Sequence, residues 1–112
     1  MGQGWRSQHE LVACGVKVKV PFDKSKALGN VVDVPRTGNV WHDTEKPIDL
    51  LAAIIDVTNV ATVVVDPFAG SGTTILAADR LSKPCRACEL DKVHVAKALE
   101  RCQLAGMDVA KQ

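Results

Sequence analysis

Apolar and polar residues follow different patterns in the two parts of this chain. In residues 1–43 the apolar runs are short and end at glycine or proline. Residues 16–20 alternate strictly between valine and lysine, and residues 30–34 form a second apolar run that ends at Pro35. Alternation with a period of two is typical of a half-buried strand. This part is therefore predicted to contain two short edge strands joined by loops.

Longer patterns begin at residue 44. Pro47 suits the first position of a helix. After it, apolar residues recur with the spacing of an amphipathic helix of about three turns, closed by Asn59; they are Ile48, Leu51, Ala52 and Ile55. Residues 61–65 are then almost entirely β-branched. Such a continuous apolar run predicts a central strand of a parallel sheet, buried on both faces.

A glycine-rich turn, a helix, a strand and a last helix complete the pattern. The turn covers residues 66–72, the helix 73–81 and the strand 84–90. Asp91 can cap the last helix, which reaches about Leu104 and is closed by Gly106. Helices and strands that alternate in this order predict an α/β fold with a doubly wound, parallel sheet.

Composition supports a single globular domain. The chain has 112 residues, of which 46% are hydrophobic and 24% charged, and its net charge of +1 does not by itself indicate nucleic-acid binding. No apolar run reaches the roughly 18 residues of a membrane helix, and the polar N-terminus has no signal-peptide core. The four cysteines are too few and too unevenly placed for a secreted disulfide framework. We therefore expect a cytoplasmic protein that does not interact with membranes.

The turn at residues 66–72 has the chemistry of a ligand-binding loop. Gly70 and Gly72 allow the backbone to approach a ligand closely, and the following helix offers unpaired N–H groups. Asp66 lies where a strand ends, which is where open α/β sheets bind ligands. Glu89 ends the next strand and can accept hydrogen bonds from ribose hydroxyls. Together these features predict a ligand that contains a nucleoside.

The same residues fit other known ligand-binding loops less well. A nucleotide-kinase loop has lysine after its last glycine, where this chain has Thr73, and a dinucleotide fingerprint has a third glycine where this chain has Ile75. A turn whose glycines serve only helix packing stays open. The pair Cys85 and Cys88 has no second pair at the spacing of a zinc site, so no metal site is predicted.

Residues 66–74, DPFAGSGTT, resemble the cofactor-binding motif of S-adenosylmethionine-dependent DNA amino-methyltransferases, which methylate N4 of cytosine or N6 of adenine. Phe68, Gly70 and Gly72 match the family pattern F-x-G-x-G. Residues 42–47, HDTEKP, are similar to the family segment H-P-T-E-K-P, with Asp43 in place of the usual proline. This segment precedes the turn as it does in the permuted branch of the family. Residues 5–10, 89–91 and 98–101 resemble further family segments.

The resemblance implies a partial Rossmann-like methyltransferase fold, with a mostly parallel sheet and flanking helices. Residues 1–112 would form one partial domain, with edge strands and loops in 1–43 and the cofactor-binding core in 44–106. S-adenosylmethionine would be held by the turn, with Glu89 on the ribose and Lys46 on the methionine carboxylate. The implied cofactor-binding residues are Thr44, Lys46, Asp66, Pro67, Phe68, Gly70, Ser71, Gly72, Thr73 and Glu89.

Catalysis in the family relies on a D/N/S-P-P-Y/F/W loop that receives the flipped base. This sequence contains no Pro-Pro pair, so we assign no catalytic residue and expect the chain to correspond to the C-terminal, cofactor-binding portion of such an enzyme. Double-stranded DNA would be the substrate of the complete enzyme, and a second chain could supply the loop. A half sheet also predicts self-association through its open edge. An inactive remnant and a Rossmann-like interaction module are the alternative interpretations.

Overall fold

The computed structural model describes residues 4, 9–18, 23–26, 29–41, 44–58 and 63–109. A single 3-10 turn at Lys24–Lys26 comes first in the described chain. The regular elements that follow are helix α1 (Ile48–Asp56), strand β1 (Val64–Asp66), helix α2 (Thr73–Arg80), strand β2 (Cys85–Ala87) and helix α3 (Lys92–Leu104). The predicted order of helices and strands is confirmed, and the chain forms part of a Rossmann-like α/β fold.

The two strands are parallel and in register, with Val64 opposite Cys85 and Asp66 opposite Ala87. Parallel neighbours need a crossover connection, and α2 provides it. Beyond the strands the pairing continues, because the Cys88 N–H donates to the Asp66 carbonyl at 2.9 Å. The carboxyl ends of β1 and β2 therefore lie side by side, and so do the residues that follow them.

Local sequence signals explain where the helices begin and end. Pro47 is the N-cap of α1, with an extended ψ of 135°, so this helix begins one residue later than predicted. The helix ends at Asp56, and the predicted closing residue, Asn59, lies outside the described residues. Asp91 caps α3 as predicted, because its side chain accepts a hydrogen bond from the Val93 N–H at 2.8 Å.

Small side chains form the core between the helices. The buried hydrophobic residues of the described chain are Ala52, Ala77, Ala78, Ala98 and Cys102. Both α1 and α3 contact α2. Gly72 continues the same pattern, since a Cβ built on it would lie only 3.0 Å from the Cβ of Ala98. The absence of bulk at these positions lets the helices approach one another closely.

The two predicted edge strands are wrong where the structure describes them. Residues 16–18 and 30–34 form no strand, while residues 19 and 20 lie outside the described chain. Val18 and Val31 are 71% and 82% exposed. A strand needs a neighbour to pair its N–H and C=O groups, and the sheet of the described residues consists of β1 and β2 alone. Alternation of apolar and polar residues is therefore not enough to form a strand when no neighbouring strand pairs with it.

The predicted burial of the central strand on both faces is also wrong for the described residues. Val64 and Asp66 are half-buried, whereas Val65 between them is 66% exposed. Successive side chains of a strand point to opposite faces, so one face of this sheet is covered and the other is open. Arg86 of β2 lies opposite Val65 in the register and is exposed as well. Residues 61 and 62 of the predicted strand lie outside the described chain.

None of the helices in the described part of the chain has the length and hydropathy that a membrane crossing needs.

Candidate functional site

A cavity of about 320 Å³ lies where β1 and β2 end. Three stretches of chain form its walls: the segment before and within α1, the turn between β1 and α2, and the residues from the end of β2 to the first turn of α3. The lining residues are Thr44, Glu45, Lys46, Leu51, Asp66, Phe68, Ala69, Gly70, Ser71, Thr73, Thr74, Glu89 and His94.

Most of the residues predicted to bind a cofactor line this one cavity. The exceptions are Pro67 and Gly72. Pro67 is exposed on the turn. Gly72 is buried with a φ of +84° and faces Ala98 of α3. Its glycine character is therefore required by backbone conformation and by packing, whereas Gly70, with a φ of +54°, has open space where a Cβ would be.

Asp66 shapes the turn that follows it. One carboxylate oxygen accepts a hydrogen bond from the Phe68 N–H at 2.9 Å. The other accepts from the Thr74 hydroxyl at 2.6 Å, which ties the end of β1 to the first turn of α2. A carboxylate has about four lone-pair sites, so Asp66 keeps the capacity to accept further hydrogen bonds from a ligand in the cavity.

Glu89 performs a similar task from the end of β2. Its Oε1 accepts from the Asp91 N–H at 2.9 Å and its Oε2 from the Gly70 N–H at 2.7 Å. These backbone bonds, first that of Asp91 and then that of Gly70, lower the pKa of Glu89 below its ordinary value. The residue is therefore an ionised acceptor that fixes the glycine turn, and its remaining lone pairs suit ligand hydroxyls.

Lys46 lies on the opposite wall and is already paired. Its Nζ lies 3.1 Å from Oε2 of Glu10 and 3.3 Å from the carbonyl oxygen of Thr44. The Lys46 side chain is 42% exposed, so water and ligands can reach it. The sequence predicted that the Lys46 ammonium group binds the carboxylate of the ligand. In the structure, the carboxylate of Glu10 occupies that place. An incoming carboxylate would have to displace or share the contact with Glu10.

A buried ion pair links Glu45 of the cavity lining to Arg101 of α3. Nη1 of Arg101 lies 3.0 Å from the carbonyl oxygen of Ser71, 2.9 Å from its hydroxyl and 3.0 Å from the Thr73 hydroxyl. Nη2 lies 3.3 Å from Oε1 of Glu45. The ring of Trp41 lies 5.8 Å from the guanidinium carbon, within the range of a cation–π contact. Arg101 thus joins the glycine turn to the segment before α1.

Sequence reasoning assigned neither Glu45, Arg101 nor His94 to the site. A signal for Arg101 was present, because it occupies the same helix face as the buried Ala98 and Cys102 and an arginine in an apolar stripe needs a buried partner. His94 could have been placed from the Asp91 cap, since a helix that begins there brings its first turn beside Glu89. Within the described chain no three His, Cys, Asp or Glu side chains cluster closely enough to hold a metal ion.

The cavity has polar and apolar parts. Carboxylates at the ends of β1 and β2 can accept hydrogen bonds from hydroxyl or ammonium groups. The N-terminus of α2 adds partial positive charge. Phe68 lines the cavity while 87% of its surface stays exposed, so it offers an aromatic surface at the mouth. Such a site suits a ligand that combines hydroxyl groups with a flat apolar portion.

Comparison with known proteins agrees with this chemistry. The model of the DNA methylase family matches residues 7–100. Over 105 residues the chain is 32% identical to DNA adenine methyltransferase YhdJ of Escherichia coli, and the match covers 88% of this chain and 36% of YhdJ. A stretch of 44 residues, 38% of this chain, is 50% identical to the type II methyltransferase M.HindIII of Haemophilus influenzae, of which it covers 14%.

The fold also matches a solved structure. The crystal structure of the M1.HpyAVI–SAM complex superposes with a TM-score of 0.66 and 33% sequence identity, over 76% of this chain and 44% of that chain. The chain spans only 14% of M.HindIII, 36% of YhdJ and 44% of M1.HpyAVI. Because the family model covers most of the sequence, including the glycine turn and both carboxylates, the chain belongs to the DNA methylase family.

Proposed function

We propose that this chain binds S-adenosylmethionine and forms the cofactor-binding part of a DNA amino-methyltransferase. The observation that carries the proposal is the cavity, which brings the glycine turn together with Asp66, Glu89 and Lys46 from separate stretches of the chain. S-adenosylmethionine has the matching groups: ribose hydroxyls, a flat adenine, an ammonium and a carboxylate. The likeness to M1.HpyAVI, solved as a SAM complex, supports the same ligand.

Four of the predicted residues receive a specific role under this proposal. Glu89 accepts hydrogen bonds from the ribose hydroxyls through the lone pairs that Gly70 and Asp91 leave available. Phe68 packs against an apolar part of the ligand. Lys46, with Thr44 beside it, receives the methionine carboxylate in exchange for Glu10. The cofactor supplies an activated methyl group on its sulfonium centre, and these residues bind and orient it.

The amine-binding half of the reaction is proposed to lie outside these 112 residues. The family's D/N/S-P-P-Y/F/W loop is not in this sequence, so a further part of the protein or a second chain would contribute it. Double-stranded DNA is then the substrate of the complete enzyme, and the compartment is the cytoplasm expected from the sequence. The name of YhdJ, an adenine methyltransferase, favours N6 of adenine over N4 of cytosine as the acceptor.

Self-association is a further part of the proposal. The face of the sheet that carries Val65 and Arg86 is exposed, and Leu90, three residues after β2, is 97% exposed. Exposed apolar side chains on and beside a small sheet favour contact with another protein surface. Equilibrium sedimentation should show dimers that dissociate on dilution. A monomer at every concentration would contradict this part of the proposal and leave cofactor binding untouched.

Calorimetric titration with S-adenosylmethionine and S-adenosylhomocysteine tests the proposed cofactor. We expect saturable binding to the unchanged chain. Asp66→Ala removes a charged acceptor and two hydrogen bonds that shape the turn, so affinity should fall by about tenfold to a hundredfold. Asp108→Ala, at an exposed position near the end of the described chain, is the matched control and should bind normally.

The folded state of each variant is checked by circular dichroism before titration. Absence of binding to the folded, unchanged chain would contradict the proposal. An inactive remnant or an interaction module, in which the glycine turn serves only packing, would then explain the family likeness better.

A further inference from the structure

The two walls of the cavity come from stretches of chain that are far apart in sequence. Thr44, Glu45 and Lys46 form one wall, and the turn from Gly70 to Thr73 contributes to the other. The fit of any ligand that touches both walls would depend on their separation. The residue that bridges them, Arg101, belongs to α3 and does not line the cavity.

The contacts of Arg101 divide between its two terminal nitrogens. Nη1 reaches the glycine-turn wall through the Ser71 carbonyl, the Ser71 hydroxyl and the Thr73 hydroxyl, all at 2.9–3.0 Å. Nη2 reaches the other wall at Oε1 of Glu45. The planar guanidinium holds these nitrogens in a fixed fork. One rigid group therefore sets the distance between the two walls.

Burial strengthens the contact between Arg101 and Glu45. The side chains of Arg101 and Glu45 are only 5% and 6% exposed. Desolvation lowers the pKa of Arg101, while the carboxylate of Glu45 opposes that change, and an arginine stays charged in either case. The second oxygen of Glu45 accepts a hydrogen bond from the backbone N–H of Trp41 at 3.2 Å, which keeps the carboxylate oriented toward Arg101. A buried charge that loses its partner is strongly unfavourable, so the pair resists separation.

We propose that Arg101 is a positioning residue for the cofactor cavity: its guanidinium fixes the wall formed by residues 44–46 relative to the glycine turn. It touches no part of the proposed ligand and acts through Ser71, Thr73 and Glu45. The consequence for ligand affinity rests on the proposed function, whereas the consequence for the two walls does not. Two measurements therefore separate the inference from the proposed cofactor.

Hydrogen exchange of the ligand-free 112-residue chain tests the positioning role directly. Arg101→Lys keeps the positive charge but lacks the fork, so it cannot reach both walls together. The hydrogen-bonded amides on either side of the bridge are those of Trp41, Gly70 and Gly72. They should exchange about tenfold faster or more, while amides in the middle of α2 and the first half of α3 change by less than about twofold. Arg86→Lys, on the exposed face of β2, is the matched control and should leave every region unchanged.

A purely structural role would give a different pattern. If Arg101 only supported the fold, exchange would rise everywhere, and if it had no role, nothing would change; either result overturns the proposal. Glu45→Gln provides a milder test, because it weakens one arm of the bridge and leaves the bonds to Ser71 and Thr73. Exchange should then rise at the Trp41 amide alone, which is bonded to residue 45, and an equal rise at Gly70 and Gly72 would contradict the division of contacts.

Titration with S-adenosylhomocysteine adds the functional readout. Arg101→Lys should weaken binding by about tenfold, with Arg86→Lys unaffected, provided that both remain folded by circular dichroism. Unchanged affinity in a folded Arg101→Lys chain would contradict a role in positioning the cavity. If the unchanged chain binds no cofactor, the proposed function fails, and the exchange pattern still decides whether Arg101 fixes the walls.

Discussion

Residues 63–109 and residues 9–41 carry apolar side chains with similar frequency but use them differently. In the first region, the β1–α2–β2–α3 unit, Ala77 and Ala78 have no exposed surface. In the second, Leu11 and Val31 are 92% and 82% exposed. The difference cannot come from hydrophobicity, because leucine and valine are more apolar than alanine. It comes from whether a partner surface is available.

Connections between neighbouring elements supply that partner in the β1–α2–β2–α3 unit. Helix α2 joins the two parallel strands. The Val64 N–H donates to the Pro84 carbonyl, so residues only about twenty positions apart in the chain begin the pairing of the sheet. The described residues between 9 and 41 make polar contacts with the rest of the described chain, such as Glu10 with Lys46. Exposed ion pairs of this kind stabilise by less than about 1 kcal/mol. Short alternating runs therefore form strands only where a neighbouring strand is available to pair with them.

The largest expected effect is at the packed end of the β1–α2–β2–α3 unit. Gly72→Ala places a Cβ at 3.0 Å from that of Ala98, at a residue with a φ of +84°. Left-handed strain costs about 1–2 kcal/mol and overpacking about 1–3 kcal/mol, so the free energy of unfolding should fall by roughly 2–5 kcal/mol. Urea denaturation followed by circular dichroism measures the loss.

Gly106→Ala separates the two causes. Gly106 has nearly the same φ, +82°, and nothing within 4 Å of the position of its Cβ. Only the backbone strain of about 1–2 kcal/mol should appear. Equal losses of free energy of unfolding for the two variants would mean that α3 does not pack closely against Gly72.

Removing the cap of α3 should have a smaller effect in the same unit. Asp91→Ala loses the hydrogen bond to the Val93 N–H and should reduce the free energy of unfolding by about 1 kcal/mol. Asp91→Asn keeps a capping oxygen and should cost only a few tenths of that amount. Urea midpoints of the three chains decide this, and equal losses for alanine and asparagine would assign the effect to charge instead of capping.

These two predictions concern the part of the molecule that the sequence predicted well. The Asp91 cap, the glycine turn and the helix after it were visible because each depends on residues close together in the chain. The contact between Arg101 and Glu45 could not be predicted in this way, because the two residues are 56 positions apart and local patterns do not relate such distant residues. The strand predicted at residues 16–18 was wrong for a related reason. Their alternation indicated a strand, but a local pattern contains no information about which distant strand could pair with it.

Acid should weaken the glycine turn through Glu89. Backbone bonds from Asp91 and Gly70 lower the pKa of Glu89 below 4.5, so its contribution is fully present above that pH and disappears as the pH falls through the lowered pKa. The difference in urea midpoint between the unchanged chain and Glu89→Gln should therefore be clear at pH 7 and shrink toward pH 3. Glu100→Gln, exposed on α3, is the control. A difference that stays constant with pH would assign the effect to shape alone.

Substitution of an exposed residue between 9 and 41 should change the free energy of unfolding least of all. Val31→Ser removes apolar atoms that are already in water, so the free energy of unfolding should change by less than about 0.5 kcal/mol. Val64→Ser, in half-buried β1, should cost about 1–2 kcal/mol. Similar losses at a single protein concentration would show that Val31 is covered in solution. A loss at Val31 that grows with protein concentration would identify the cover as a second copy of the chain, because only association makes apparent stability depend on concentration.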